Sequence, residues 1–300
     1  MRILASMTLR GPWQAALVIA LTSPLPLLSL LGGGAMALVT LRQGAKAAVL
    51  VMLLAGCISG GLFWLLFGSM APVLGLVVLV WLPLWLLAMV LRYSVSLATT
   101  LQVGLLLAVG AMLGYAIYLG DPTAWGRSLL ERLLAPFLAE VEVLSGGEMV
   151  IENTLSYLAP FTLGLLFANG LASLLLSLLL GRWWQGLLFY PGGFQREFQE
   201  LRLGRRAALA ALLMLGLASV WQLPLSINVA LLVIVVYALQ GLAVVHGVVS
   251  KAGLAKSWLV AMYLLMLLAL PQLLMLLAVL GVSDAWLDYR GRIRPPAGVP

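Results

Sequence analysis

Residues 47–91 contain no Asp, Glu, Lys or Arg, and comparable charge-free runs cover 11–41, 93–119, 155–180, 207–250 and 257–283. A soluble domain carries roughly 25% charged residues. This chain of 300 residues carries 9%, with 63% hydrophobic residues and a mean hydropathy of +1.12. Runs of this length supply the ~20 apolar residues that one bilayer-crossing helix needs. Backbone groups in hydrocarbon must pair internally, which helices do within each segment. The expected fold is all-α, a polytopic transmembrane helix bundle in which 1–300 form a single integral membrane domain.

The run 47–91 must fold as two helices, with the break at Gly68-Ser69-Met70-Ala71-Pro72, where Gly and Pro punctuate. The run 11–41 is interrupted by Pro24, Pro26 and the triplet Gly32-Gly33-Gly34. Proline removes a donor and clashes with the preceding turn. The expectation is a helix from about Pro12 to Thr22, an irregular connection, and a second helix ending near Arg42. Irregular backbone at membrane depth must be buried in protein or line a wet cavity, so 23–34 is a candidate site lining. The alternative is one kinked helix with the amino terminus outside. Arg2, Arg10 and Ala35-Met36-Ala37 resemble a cleaved leader, but the same prolines and glycines break its apolar run. With spans at 93–119, 155–180, 207–222, 225–250 and 258–282, the count is eight or nine membrane segments.

Residues 181–206 hold Arg182, Arg196, Arg202, Arg205 and Arg206 against Glu197 and Glu200. Short loops rich in Lys and Arg stay in the cytoplasm. This stretch is therefore the expected main cytoplasmic loop, with Trp183 and Trp184 at headgroup level. Residues 120–153 are acidic, and the spacing of Leu129, Leu130, Leu133, Leu134 and Phe137 predicts an external amphipathic helix over 125–144, broken or bent at Pro136. It would lie on the outer surface or fold over the bundle as a lid. The polar tail, 283–300, is expected outside despite Arg290, Arg292 and Arg294; an inside tail would require one span fewer. The expected location is a bacterial inner membrane, multi-pass, with the lipid bilayer as the obligatory partner.

One cysteine, Cys57, and one histidine, His246, leave no disulfide, no cysteine cluster and no imidazole pair. No Walker loop, acidic pair or Ser/His/Asp set is legible. The chain is therefore expected not to be an enzyme, with no catalytic residue, metal or cofactor. Its net charge of +7 sits at the ends of apolar runs, which argues against nucleic acid. Asp284 and Asp288 could ligate a cation, but three nearby arginines make a salt-bridged anchor the better reading. No charge lies inside a predicted span, which disfavours proton-coupled pumping. What remains at depth is neutral. Asn169, Asn228, Tyr237, Gln240, Tyr263 and Gln272 are the candidate lining for a small neutral solute. The plainer reading is interhelical hydrogen bonding, at roughly 0.6 kcal/mol each.

Four motifs carry a family resemblance: Leu41-Arg42-Gln43-Gly44; Gly193-Phe194-Gln195-Arg196-Glu197-Phe198 with Leu201-Arg202-Leu203; Gln240-Gly241-Leu242-Ala243-Val244-Val245-His246; and Leu280-Gly281-Val282-Ser283-Asp284-Ala285-Trp286-Leu287-Asp288-Tyr289-Arg290. On these the chain resembles the YybS-like (DUF2232) bacterial membrane proteins over nearly its full length. That family has no established activity. It is distantly similar to the substrate-binding components of energy-coupling-factor vitamin transporters, which usually have six spans. The resemblance implies that Ala16 and Ala20 could dock a membrane coupling subunit. Two functions are expected from the sequence. One is a small-molecule-binding transport component. The other is a scaffold that recruits membrane partners through Arg202, Arg205 and Arg206, in which case reversing those charges should abolish capture.

Overall fold

The structure is a computed structural model that describes residues 1–25, 28–142, 147–221 and 224–293. The described residues contain helices and no strand. In chain order the helices are α1 (Arg2–Thr8), α2 (Pro12–Thr22), α3 (Ser29–Gln43), α4 (Ala45–Phe67), α5 (Ala71–Leu76), α6 (Leu82–Ser94), α7 (Leu97–Leu119) and α8 (Pro122–Glu142). They continue as α9 (Gly147–Leu158), α10 (Thr162–Phe189), α11 (Gly193–Gln199), α12 (Arg205–Trp221), α13 (Pro224–Lys251), α14 (Ser257–Leu268), α15 (Leu270–Leu287) and α16 (Tyr289–Arg292). A π-helical turn, Val77–Trp81, joins α5 to α6. Pro83 follows it and cannot donate back into the ladder, which is one origin of such a bulge.

Among the described residues, six segments are long and apolar enough to cross a membrane: Ala45–Phe67, Ala71–Ser94, Leu97–Leu119, Met149–Phe189, Pro224–Lys251 and Leu270–Leu287. The chain therefore fits a multi-pass membrane protein, and the expected count of eight or nine segments is not confirmed. The expected segments not among the six are α2, α3 and α12, the last of 17 residues. Helix α2 has 11 residues and α3 has 15, or roughly 16 and 22 Å at 1.5 Å per residue. They fold back on one another, with Ile19, Thr22 and Ser23 against Gly32. The expected span 258–282 is split at Ala269 (φ −140°, ψ 55°), two residues before Pro271. The break at 68–70 falls where expected, with Gly68 left-handed at φ 67°.

The Gly32-Gly33-Gly34 triplet is a packing surface. It is buried inside α3, where a Cβ on Gly33 would lie 2.7 Å from Ser177 Cβ and one on Gly34 would lie 2.8 Å from Leu180. In return, a Cβ on Gly181 would lie 2.6 Å from Ala37 Cβ. Residue numbers rise together, so α3 and α10 run parallel. Small residues are what let membrane helices approach this closely.

A second parallel pair forms between α13 and α15. A Cβ on Gly241 would overlap the Leu277 carbonyl oxygen, and one on Gly281 the Tyr237 carbonyl oxygen. The α3–α10 pair ends where Arg92 donates to the carbonyls of Thr40 (3.2 Å) and Leu41 (2.7 Å) and Arg42 lies 4.1 Å over the Phe189 ring, and the α13–α15 pair ends where Lys251 donates to the Arg290 carbonyl at 3.2 Å. This is the basic end.

Two expectations are corrected here. The tail was expected on the opposite side from the basic loop, but α15 returns to the basic end and α16 packs on α13 there. Tail residues 294–300 lie outside the described residues. Residues 181–206 are not a free loop: α10 continues to Phe189, and its packing on α3 carries Trp184 into the core, fully buried. At the acidic end, α8 runs helical through Pro136 and packs against α9 and the start of α10. Arg127 is bidentate to Glu152, at 2.9 and 2.6 Å. Of the predicted stretch 125–144, the last two residues lie outside the described ones.

Candidate functional site

Three of the six candidate lining residues, Asn228, Tyr237 and Gln240, are buried on α13 at 1%, 2% and 1% exposure. Their roles differ. Asn228 accepts from Gly164 N–H (3.2 Å) and donates to the Pro160 carbonyl (3.0 Å). These two backbone groups stand four residues apart, where an α-helix would pair them. A side chain inserted into that ladder is a known origin of helix bends. Asn228 therefore splices α10 to the 3-10 turn Ala159–Phe161 before it. Asn228→Ala is expected to cost about 1–3 kcal/mol, read as a lower thermal midpoint in detergent.

Gln240 is likewise engaged. It accepts from Leu203 N–H (3.0 Å) and donates to the Gly281 carbonyl (2.6 Å), while Gln102 donates to the Leu203 carbonyl (2.7 Å). The extended stretch after α11 is thereby stitched into the bundle, with Leu201 and Leu203 buried. Asn169, Tyr263 and Gln272 are exposed on the bundle's outer faces and do not join the others. Tyr263 instead meets His246 Nε2 at 3.2 Å, and His246 Nδ1–H donates to the Leu242 carbonyl at 2.9 Å.

Tyr237 remains. Its hydroxyl is buried and has no hydrogen-bond partner among the described residues, an arrangement that costs free energy unless something satisfies it. Helix α12 lies over Tyr237 and Val233, touching the bundle through a narrow stripe of Ala208, Ala211 and Ala218. A cavity runs along each flank of α12. One, about 690 Å³, lies between α7, α12 and α13. The other, about 390 Å³, lies between α12, α13 and α15 and includes Met275 and Trp286. Tyr237 and Val233 line both. The walls are apolar, and the larger cavity ends at Gln102, Arg205 and Arg206. One hydroxyl between two apolar chambers is the pattern of a site for a mostly apolar small molecule with few polar atoms.

No family model, curated protein or solved structure matches this chain. The reading of the site therefore rests on geometry.

At the basic end a smaller cavity, about 240 Å³, adjoins the site between Arg202, Arg205, Asp284, Trp286 and Asp288. Arg202 pairs with Asp288 at 2.6 Å, and Arg205 Nε–H donates to the Ala285 carbonyl at 3.1 Å. Burial pushes the Asp288 carboxyl up, but the Gly291 N–H and the Arg202 guanidinium outweigh it and hold the group below the usual carboxylate range. Asp284 and Arg290 form a 2.5 Å pair at 1% and 2% side-chain exposure. The salt-bridged anchor read from the sequence is present, and it ties the tail to residues 199–205. Of the three arginines proposed for docking, only Arg206 has no bond or ion pair among the described residues. Ala16 and Ala20 are fully buried on α2, which packs against α3 and α4. Their small-residue face is covered by the chain's own helices rather than left open for a coupling subunit.

Sequence reasoning named Tyr237 among six candidates and did not single out α12, the element that flanks both cavities. The available signal was the Ala208, Ala211, Ala218 spacing, which marks one narrow contact stripe on an otherwise lipid-facing helix.

Proposed function

We propose that this chain is a membrane-embedded binding component, of the YybS-like type and resident in a bacterial inner membrane. It takes a small, mostly apolar molecule into the chambers flanking α12 and serves as the recognition part of a transport process rather than as an enzyme. The observation that carries the reading is the unpartnered Tyr237 hydroxyl, buried where both chambers meet. The hydroxyl oxygen has no accessible surface while α12 is in place, so a shift of α12 would be needed for a hydrogen-bonding ligand atom to satisfy it, and the apolar walls would hold the rest of the molecule. Helix α12, held by a narrow stripe, is the element whose displacement would open the chambers.

The test is Tyr237→Phe. The hydroxyl bonds to nothing among the described residues, so the variant should keep its fold and thermal midpoint as purified after ligand stripping. Small molecules extracted from the detergent-purified protein and weighed by mass spectrometry should include one species depleted several-fold to tenfold in the variant, the equivalent of a hydrogen bond worth about 0.5–1.5 kcal/mol. Identical extracts from both proteins would sink the reading.

The scaffold alternative needs a sharper probe than reversal of all three arginines. Arg202 and Arg205 hold the tail, so changing them disturbs the fold itself. Arg206→Glu alone leaves those contacts intact, and loss of a co-purifying partner in that variant would favour the scaffold.

A further inference from the structure

We infer that the basic end carries a second site, for a phosphate-type oxyanion, in the cleft between α11, the last turns of α13 and the tail helix α16. The cleft holds about 80 Å³ and is lined by Arg196, Glu200, Arg202, Lys251 and Arg290 over the floor residue Gly247. A water occupies about 30 Å³ of liquid, so the space suits one tetrahedral oxyanion or a few waters.

The donors there are only partly used. Arg290 is 2% exposed; it donates from one terminal nitrogen to the Gln199 carbonyl (2.6 Å) and from the other to Asp284, while its Nε–H is buried with no acceptor among the described residues. A buried guanidinium N–H is a strong, costly donor to leave unpaired. Lys251 has three donor protons and spends one on the Arg290 carbonyl, at 3.2 Å. Arg196 has no side-chain partner among the described residues. Asp284 compensates Arg290 and Asp288 compensates Arg202. Two cations, Arg196 and Lys251, are then left facing the single carboxylate of Glu200, so the cleft favours an anion. Gly247 keeps the arrangement tight, since a Cβ there would lie 2.8 Å from Arg290 Cδ. Arginine and lysine donors converging on a space of this size match the geometry of phosphate recognition.

The phosphate could belong to a soluble anion or to a lipid headgroup, since the cleft opens at the basic end of the bundle. Both sources enter one experiment on the full chain in detergent. Thermal midpoints are measured in inorganic phosphate against chloride at equal ionic strength, and native mass spectra are recorded with phosphatidic acid and with phosphatidylcholine. The wild type should gain stability in phosphate beyond chloride, or retain phosphatidic acid in preference to phosphatidylcholine. The first outcome assigns a soluble oxyanion and the second a phosphomonoester lipid. Lys251→Gln should weaken the response about tenfold, and Arg196→Ala, at an exposed position with no internal bond, about threefold. If Lys251→Gln fails to fold, Arg196→Ala decides alone. No preference for phosphate over chloride together with equal retention of both lipids would overturn the site, as would responses unchanged in Arg196→Ala. Tyr237→Phe should leave these readouts untouched, which separates this site from the chambers beside α12.

Discussion

Arg290→Ala is expected to detach the tail from the bundle and to lower stability by about 3–5 kcal/mol, because it strands the Asp284 carboxylate in a buried position with no cation. The pair is at 1% and 2% side-chain exposure, and Arg290 also carries the bond to the Gln199 carbonyl. Limited trypsin digestion should then cut at Arg202 and Arg205, whose partners in α15 and just after it lose their support. The double variant Asp284→Leu/Arg290→Met removes both charges and should recover most of the loss, since apolar replacement of a buried pair is often neutral. Equal damage from the double variant would show that the bond to Gln199, not the charge balance, holds the tail.

The second large effect is expected at the α13–α15 crossing. Gly281→Ala and Gly241→Ala each place a methyl group on a backbone carbonyl of the facing helix, which cannot swing away as a side chain could. Each should cost about 3 kcal/mol or more, at the upper end for overpacking. Gly216→Ala on α12 is the control, because nothing lies within 4 Å of the added carbon. It should be neutral or stabilising by about 0.4–1 kcal/mol. The thermal midpoints of the three variants in one detergent test the contrast directly.

These residues also show what a sequence can convey. The helix bounds Pro12–Thr22 and the turn at Gly68 were legible because Pro and Gly act on local backbone, and local backbone is what adjacent residues determine. The parallel pairing of α3 with α10 was not. Glycine at 33, 34 and 181 announces that something comes close without saying what, in a chain where small residues are frequent. The side of the tail was misjudged for a related reason. Residues 258–282 were expected as one crossing helix, whereas the chain breaks at Ala269 and α15 follows α13 back to the basic end. Among the candidate lining residues, hydrogen-bonding capacity was visible, but whether it was spent inside the protein was not. Asn228 and Gln240 spend theirs on backbone groups 37 to 68 residues away in sequence, and Tyr237 does not among the described residues.

The burial of α3 sets the timing of assembly. Its glycine face is covered by α10, whose seam residues Ser177 and Gly181 are synthesised more than a hundred residues later. At a synthesis rate of roughly 5–20 residues per second, that face waits on the order of ten seconds for its cover. During that interval the α2–α3 pair, too short to cross unaided, has α4 as its main neighbour. A nascent chain stalled before α10 would therefore present an open small-residue groove to any passing membrane helix.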